Sequence, residues 1–130
     1  MTDKNRFTLS KEERLSWKRY IDLLFEKGQS FVAFPLRVIY LTVEPEMPAT
    51  SSILISVSKK KFKRAVKRNK VKRQIREAYR LQKPELITFL KDRDKNLLIA
   101  FLYLDKEIHP HTTIEKAMRK TIGLLMENIK

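Results

Sequence analysis

The sequence predicts an α/β (α+β) layered domain with the element order α-β-β-β-α-β-α. Three observations lead there. Apolar residues recur at helical intervals at both ends of the chain and in its middle. Short runs of β-branched and aromatic residues lie between those segments. A strand, a long basic helix and a second strand then follow one another in the order of a parallel crossover unit. The chain has 130 residues, with only two glycines and five prolines. That length suits one domain, 1–130, burying a single core, with residues 1–8 expected to be flexible.

Each element has its own signal. Ser10 and Glu13 stand at capping-box spacing, and Leu15, Trp17, Tyr20, Ile21, Leu24 and Phe25 then recur at helical intervals until Gly28. Phe31 to Phe34 and Leu36 to Val43 read as strands separated by Pro35, and Ile53 to Val57 as a third beyond a loop at Glu44 to Ser52. The basic segment forms a long helix to Pro84, where a proline suited to a first helical turn is expected to open a short helix through Leu90. Leu97 to Leu104 is a continuous apolar run, as in a buried central strand. His109-Pro110-His111 reads as a loop. Thr112 and Glu115 repeat the capping-box spacing before a last helix to about Asn128.

Charge is distributed very unevenly. Between Lys59 and Lys83, 13 of 25 residues are Lys or Arg and Glu77 is the only acid, so the segment carries +12 of the net +14. The other 105 residues are nearly balanced, with 16 basic and 14 acidic side chains. Arg64, Arg68, Lys72, Arg76 and Arg80 lie four apart, and each like-charged pair at that spacing costs a helix about 0.2–0.5 kcal/mol. A polyanion along the segment relieves that repulsion. On a helical wheel Val71, Ile75 and Ala78 form an apolar stripe, while Asn69, Lys72, Arg73, Arg76 and Arg80 fall roughly opposite. The outward stripe offers forks, an ammonium and an amide suited to phosphate and sugar oxygens. A merely solvated face calls for interspersed acids, which this segment lacks. Charge alone does not say which nucleic acid is bound.

Other function classes are disfavoured. The chain has no cysteine, so disulfides, thiolate zinc sites and cysteine nucleophiles are excluded. A polar N-terminus of mixed charge and a longest apolar run of strand length predict neither a signal peptide nor a membrane span, hence a cytoplasmic protein. Glu44 with Glu46, and Asp92 with Asp94, are paired acids without a third carboxylate or a histidine close by. Ser56 and Ser58 have no base partner, and His109 and His111 flanking a proline read as exposed loop residues. No catalytic or metal-ligating set is expected.

The stretch ILISVSKK, followed by AVKRNKVKRQIREAYR, resembles the protein subunit of bacterial ribonuclease P. That family has a Val-Ser-Lys-Lys strand end, here Val57 to Lys60, and then a basic helix whose motif falls on Arg68, Asn69, Lys70, Lys72, Arg73, Arg76, Glu77 and Ala78. Leu24 to Gly28 and Leu36 to Tyr40 are similar to the family's opening helix and strand. Lys70 stands where the family usually has Arg, and Lys61-Phe62-Lys63-Arg64 is one residue longer than its usual glycine-containing turn.

The resemblance implies a two-layer α/β sandwich of ribosomal-protein-like fold, with a left-handed β-α-β crossover. It implies a protein without catalytic residues that binds the catalytic RNA and the 5′ leader of precursor tRNA, assisting removal of the leader. Lys59, Lys60, Arg64, Arg68, Asn69, Lys70, Lys72, Arg73, Arg76 and Arg80 are the expected contacts to the catalytic RNA. Phe25 and Tyr40 match the family's leader-contacting aromatics in a cleft between the first helix and the sheet. Ile21 stands where a further aromatic is usual, with Tyr20 beside it. Magnesium is expected on the RNA and none on the protein, and no obligate protein partner is implied. A structural RNA-binding protein, such as a small ribosomal subunit component, is the alternative. A DNA-binding regulator is disfavoured by the lack of helix-turn-helix spacing.

Overall fold

The computed structural model describes residues 18–43 and 50–129. The elements are α1 (Lys18–Lys27), β1 (Gln29–Ala33), β2 (Leu36–Val43), β3 (Ser51–Ser56), α2 (Ala65–Asp92), β4 (Asn96–Tyr103) and α3 (His111–Asn128). This is the order read from the sequence. The Ser10–Glu13 capping box, residues 1–8 and the Glu44/Glu46 pair lie outside the described residues.

The four strands form one sheet in the order β1-β2-β4-β3. β1 and β2 are an antiparallel hairpin turning at Phe34-Pro35, and β2 runs antiparallel to β4 from Leu36↔Tyr103 to Val43↔Asn96. β3 lies parallel to β4, with α2 as the crossover between them. β4 thus has a neighbour on each side, and its residues Asn96 to Phe101 are all buried, which explains the unbroken apolar run.

Strand alternation divides the core in two. Val38, Tyr40, Leu97, Ile99 and Phe101 face α2 and α3, meeting Val71, Ile75, Tyr79, Leu86 and Leu90 of α2 and Ile114, Met118 and Leu125 of α3. On the opposite face Leu98 and Ala100 pack under Leu24 of α1, with Tyr20, Ile21, Ile39, Leu41 and Leu54 partly buried around them. Each fully buried Leu, Ile or Val stabilises the fold by about 1.5–3 kcal/mol. A buried hydrogen bond of 2.7 Å between Ser51 Oγ and Tyr79 Oη ties β3 to α2. Gly28 lets α1 close on β2: a Cβ there would stand 2.4 Å from the Leu24 carbonyl oxygen and 3.0 Å from that of Tyr40.

Several boundaries differ from expectation, β1 for instance beginning at Gln29 rather than Phe31. α2 does not restart at Pro84 but runs through it to Asp92. The proline has no N–H for the carbonyl of Arg80, yet buried Tyr79 and Leu86 hold the helix to the core on both sides of the gap. β3 begins at Ser51 rather than Ile53, because Ser51 and Ser52 are buried and paired opposite Leu97 and Leu98. α3 begins at His111 with Pro110 as its N-cap and no side-chain cap, so Thr112 lies inside the helix.

Candidate nucleic-acid interface

Because Val71, Ile75 and Ala78 are fully buried, α2 is fixed in rotation about its own axis. Asn69, Lys70, Arg73 and Arg76 are consequently exposed, and Lys72 is half-buried. The first turn of α2 contains no acid. Further along, Glu77 holds Arg80: its Oε2 accepts from Arg80 Nε at 3.1 Å, and its Oε1 pairs with Arg80 Nη2. That hydrogen bond holds the Glu77 carboxyl below its ordinary range. Arg80 therefore has an acid partner within the helix, whereas Arg73 and Arg76 are exposed with respect to the described residues.

The turn before α2 is anchored by Phe62. Its ring is buried, with its centroid 5.9 Å from that of Tyr103, and its amide donates to the Ser58 carbonyl at 3.0 Å. Arg68 secures the same turn, its Nη1 donating to the carbonyls of Phe62 at 2.7 Å and Lys63 at 3.0 Å. Arg68, named above among the expected RNA contacts, thus turns its guanidinium to this turn rather than outward beside Arg73 and Arg76. It lies three and seven residues before Val71 and Ile75, on the inward side of the helix. Lys59, Lys60, Lys63 and Arg64 remain exposed around the turn, which is held to the β4–α3 loop where the Lys61 ammonium donates to the Leu104 carbonyl. Phe62 is a structural support of this turn that sequence reasoning passed over, although it is the only apolar residue among the six from Lys59 to Arg64 and so carried a signal.

The aromatics expected to hold a single strand separate into two groups. Phe25 on α1 is 47% exposed. Tyr20, half-buried on the same helix, carries the Arg19 guanidinium 4.9 Å from its ring centroid. Tyr40 does not join them. It is 6% exposed on the opposite face of the sheet, its hydroxyl donating to Gln29 Oε1 at 2.9 Å and its ring 5.8 Å from that of Phe31. A ring enclosed in this way has no open face on which a base can stack.

Among the described residues no three His, Cys, Asp or Glu side chains form a metal-sized group, and no helix is long and apolar enough to cross a membrane. Asp92 and Asp94 are exposed at the end of α2, and the Ser58 hydroxyl accepts from the Lys60 amide at 3.1 Å. His109 is not an exposed loop residue. Its Nε2 lies 2.6 Å from Asp105 Oδ2, its ring meets Phe34 edge-on at 5.7 Å, and its amide donates to Tyr103 Oη at 3.2 Å. His111 pairs with Glu115 on α3.

The hydrogen bond with His109, helped by the Lys106 amide, holds the Asp105 carboxyl below its ordinary range. Asp105 and Glu77 are both depressed in the folded state, so the stability they contribute is present above their unfolded values and is lost as pH falls through the folded ones. Thermal stability is expected to decline below about pH 4. Asp105→Asn should flatten that decline in a series of melting curves. An unchanged acid limb would show that the pair contributes nothing.

Comparison with known proteins agrees with this arrangement. The family model described as Ribonuclease P matches residues 9–121. The Ribonuclease P protein component of Porphyromonas gingivalis is 44% identical over 129 residues, covering 99% of this chain and 94% of that protein. That of Chlorobium phaeobacteroides is 33% identical, covering 95% and 88%. Among solved structures, the RNase P protein from Thermotoga maritima superposes with a TM-score of 0.63 at 25% identity, covering 91% of this chain and 98% of that one. With near-complete coverage in both directions, this chain belongs to the ribonuclease P protein component family.

Proposed function

We propose that this chain is the protein partner of a catalytic RNA and assists removal of the 5′ leader from precursor tRNA in the cytoplasm. The observation that carries the reading is the face of α2, where Asn69, Lys70, Arg73 and Arg76 are exposed together over a buried apolar stripe. Guanidinium forks and ammonium groups on a rigid helix meet phosphate oxygens without having to be ordered first. Phe25, with Tyr20 beside it, offers an aromatic surface for an unpaired leader strand. Tyr40 is left out of that surface.

Phosphodiester hydrolysis belongs to the RNA in this reading, and the magnesium it uses is held by RNA. The protein acts by positioning and by lowering the repulsion between two polyanions. Reconstitution with a bacterial catalytic RNA tests it. Added protein should stimulate precursor cleavage strongly at low magnesium and little at high magnesium and salt, while protein freed of RNA should not cut at all. Site-specific cutting by protein alone, or no stimulation at any magnesium concentration, would overturn the proposal.

A further inference from the structure

A cleft of about 410 Å³ opens at the N-terminal end of α2, between the turn at 61–64 and the β4–α3 loop. Lys61, Lys63, Arg64 and Lys67 line one wall and Lys106 the other, against a single acid, Glu107. Ile108 and Phe62 are the apolar residues of its lining. Five cations from segments some forty residues apart therefore converge on one concavity. The walls are held at a fixed distance by the Lys61 ammonium on the Leu104 carbonyl and by Phe62 packed against Tyr103. Arg64, the N-cap, gives no side-chain cap, so the positive end of α2 adds to the same field. The volume falls in the range of about 300–1,000 Å³ typical of small-ligand sites, with room for a sugar as well as a phosphate.

We propose that this cleft takes one phosphodiester-linked nucleotide of a bound RNA, with Lys106 as a contact from outside the basic helix. The inference rests on the RNA-binding reading above and extends the contact surface beyond the basic segment to the β4–α3 loop. At 3.6 residues per turn, Lys67 lies about 160° around the helix from Asn69. RNA touching both the outward stripe and the cleft must therefore wrap the N-terminal end of α2. A straight duplex lying along the stripe does not reach both, so the occupant is a single-stranded or helix-end nucleotide. It comes either from the catalytic RNA or from precursor tRNA.

The test uses the full chain with Lys106→Ala, and Lys91→Ala as the control. Both side chains are exposed, and Lys91 lies about 36 Å along α2 from Lys67. Salt dependence is measured for binding of protein to the catalytic RNA, and separately for binding of precursor tRNA to the assembled complex. Lys106→Ala should lower the salt slope by about 0.7–0.9 in one arm only, naming the RNA that fills the cleft. Lys91→Ala should leave both slopes unchanged. Equal slopes for Lys106→Ala and the native chain in both arms, with Arg73→Ala still lowering the first, would overturn the cleft alone. If Arg73→Ala is also without effect, the RNA-binding reading falls with it.

Discussion

Replacing Arg73 and Arg76 together with alanine is expected to weaken binding to the catalytic RNA while leaving the melting temperature unchanged. Both side chains are exposed, and the stripe that fixes α2 on the sheet lies on the opposite side of the helix. If each guanidinium neutralises one phosphate, the slope of log affinity against log salt should fall by about 1.4–1.8. Over a fourfold rise in salt, the native protein should then lose about ten times more affinity than the variant. Arg68→Ala should behave in the opposite way. It strips the carbonyls of Phe62 and Lys63 of their donor, so its main effect is a stability loss of about 1–3 kcal/mol. Equal salt slopes for the native chain and the double variant, with intact folding, would remove the outward stripe from the interface.

Tyr40→Ala should cost about 3–5 kcal/mol of stability, the usual penalty for emptying a buried aromatic site. Its folded fraction should discriminate precursor from mature tRNA as the native chain does. Tyr40→Phe keeps the ring and loses only the bond to Gln29, so it should fold and bind normally at a cost of about 0.5–1.5 kcal/mol. Phe25→Ala provides the contrast. It should barely change the melting temperature, but lower the preference for precursor by about 1–3 kcal/mol if a leader base stacks there. Selective loss of precursor binding in Tyr40→Phe, with stability retained, would restore Tyr40 to the leader surface.

The stripe of α2 was legible because helical periodicity is set by the backbone, and Val71, Ile75 and Ala78 keep that period in a segment that is otherwise almost wholly charged. The same arithmetic places Arg68 inward, since it extends that stripe by one turn; only its charge hid this. Tyr40 was misplaced for a different reason. Alternation along β2 says that Val38 and Tyr40 share one face and Ile39 and Leu41 the other. It does not say which face α1 covers, and that depends on how the hairpin folds back from Gly28. Pro84 misled because a local rule about proline was outweighed by packing on either side of it. His109 was misread because the partners that cover it, Phe34 and Tyr103, come from the β1–β2 turn and from β4, far apart in the chain. The cation of Lys106 was invisible for a related reason: nothing in the chain's order brings it beside Lys67.

The place of β4 between β2 and β3 also governs the order in which this protein can assemble. Leu36, already opposite Ala33 in the hairpin, gains its second partner only when Tyr103 exists, and Ser51 finds its own only when Leu97 does. During synthesis the β1–β2 hairpin, β3 and the whole basic helix emerge before the strand that joins them. Pairings so distant along the chain slow folding relative to a bundle of local helices of similar length. For that interval the 13 cations between Lys59 and Lys83 are in solution with no core behind them to fix which way they face. The interface acquires its orientation only when the central strand arrives, so rotational order in α2 is a late product of folding rather than a property of the helix.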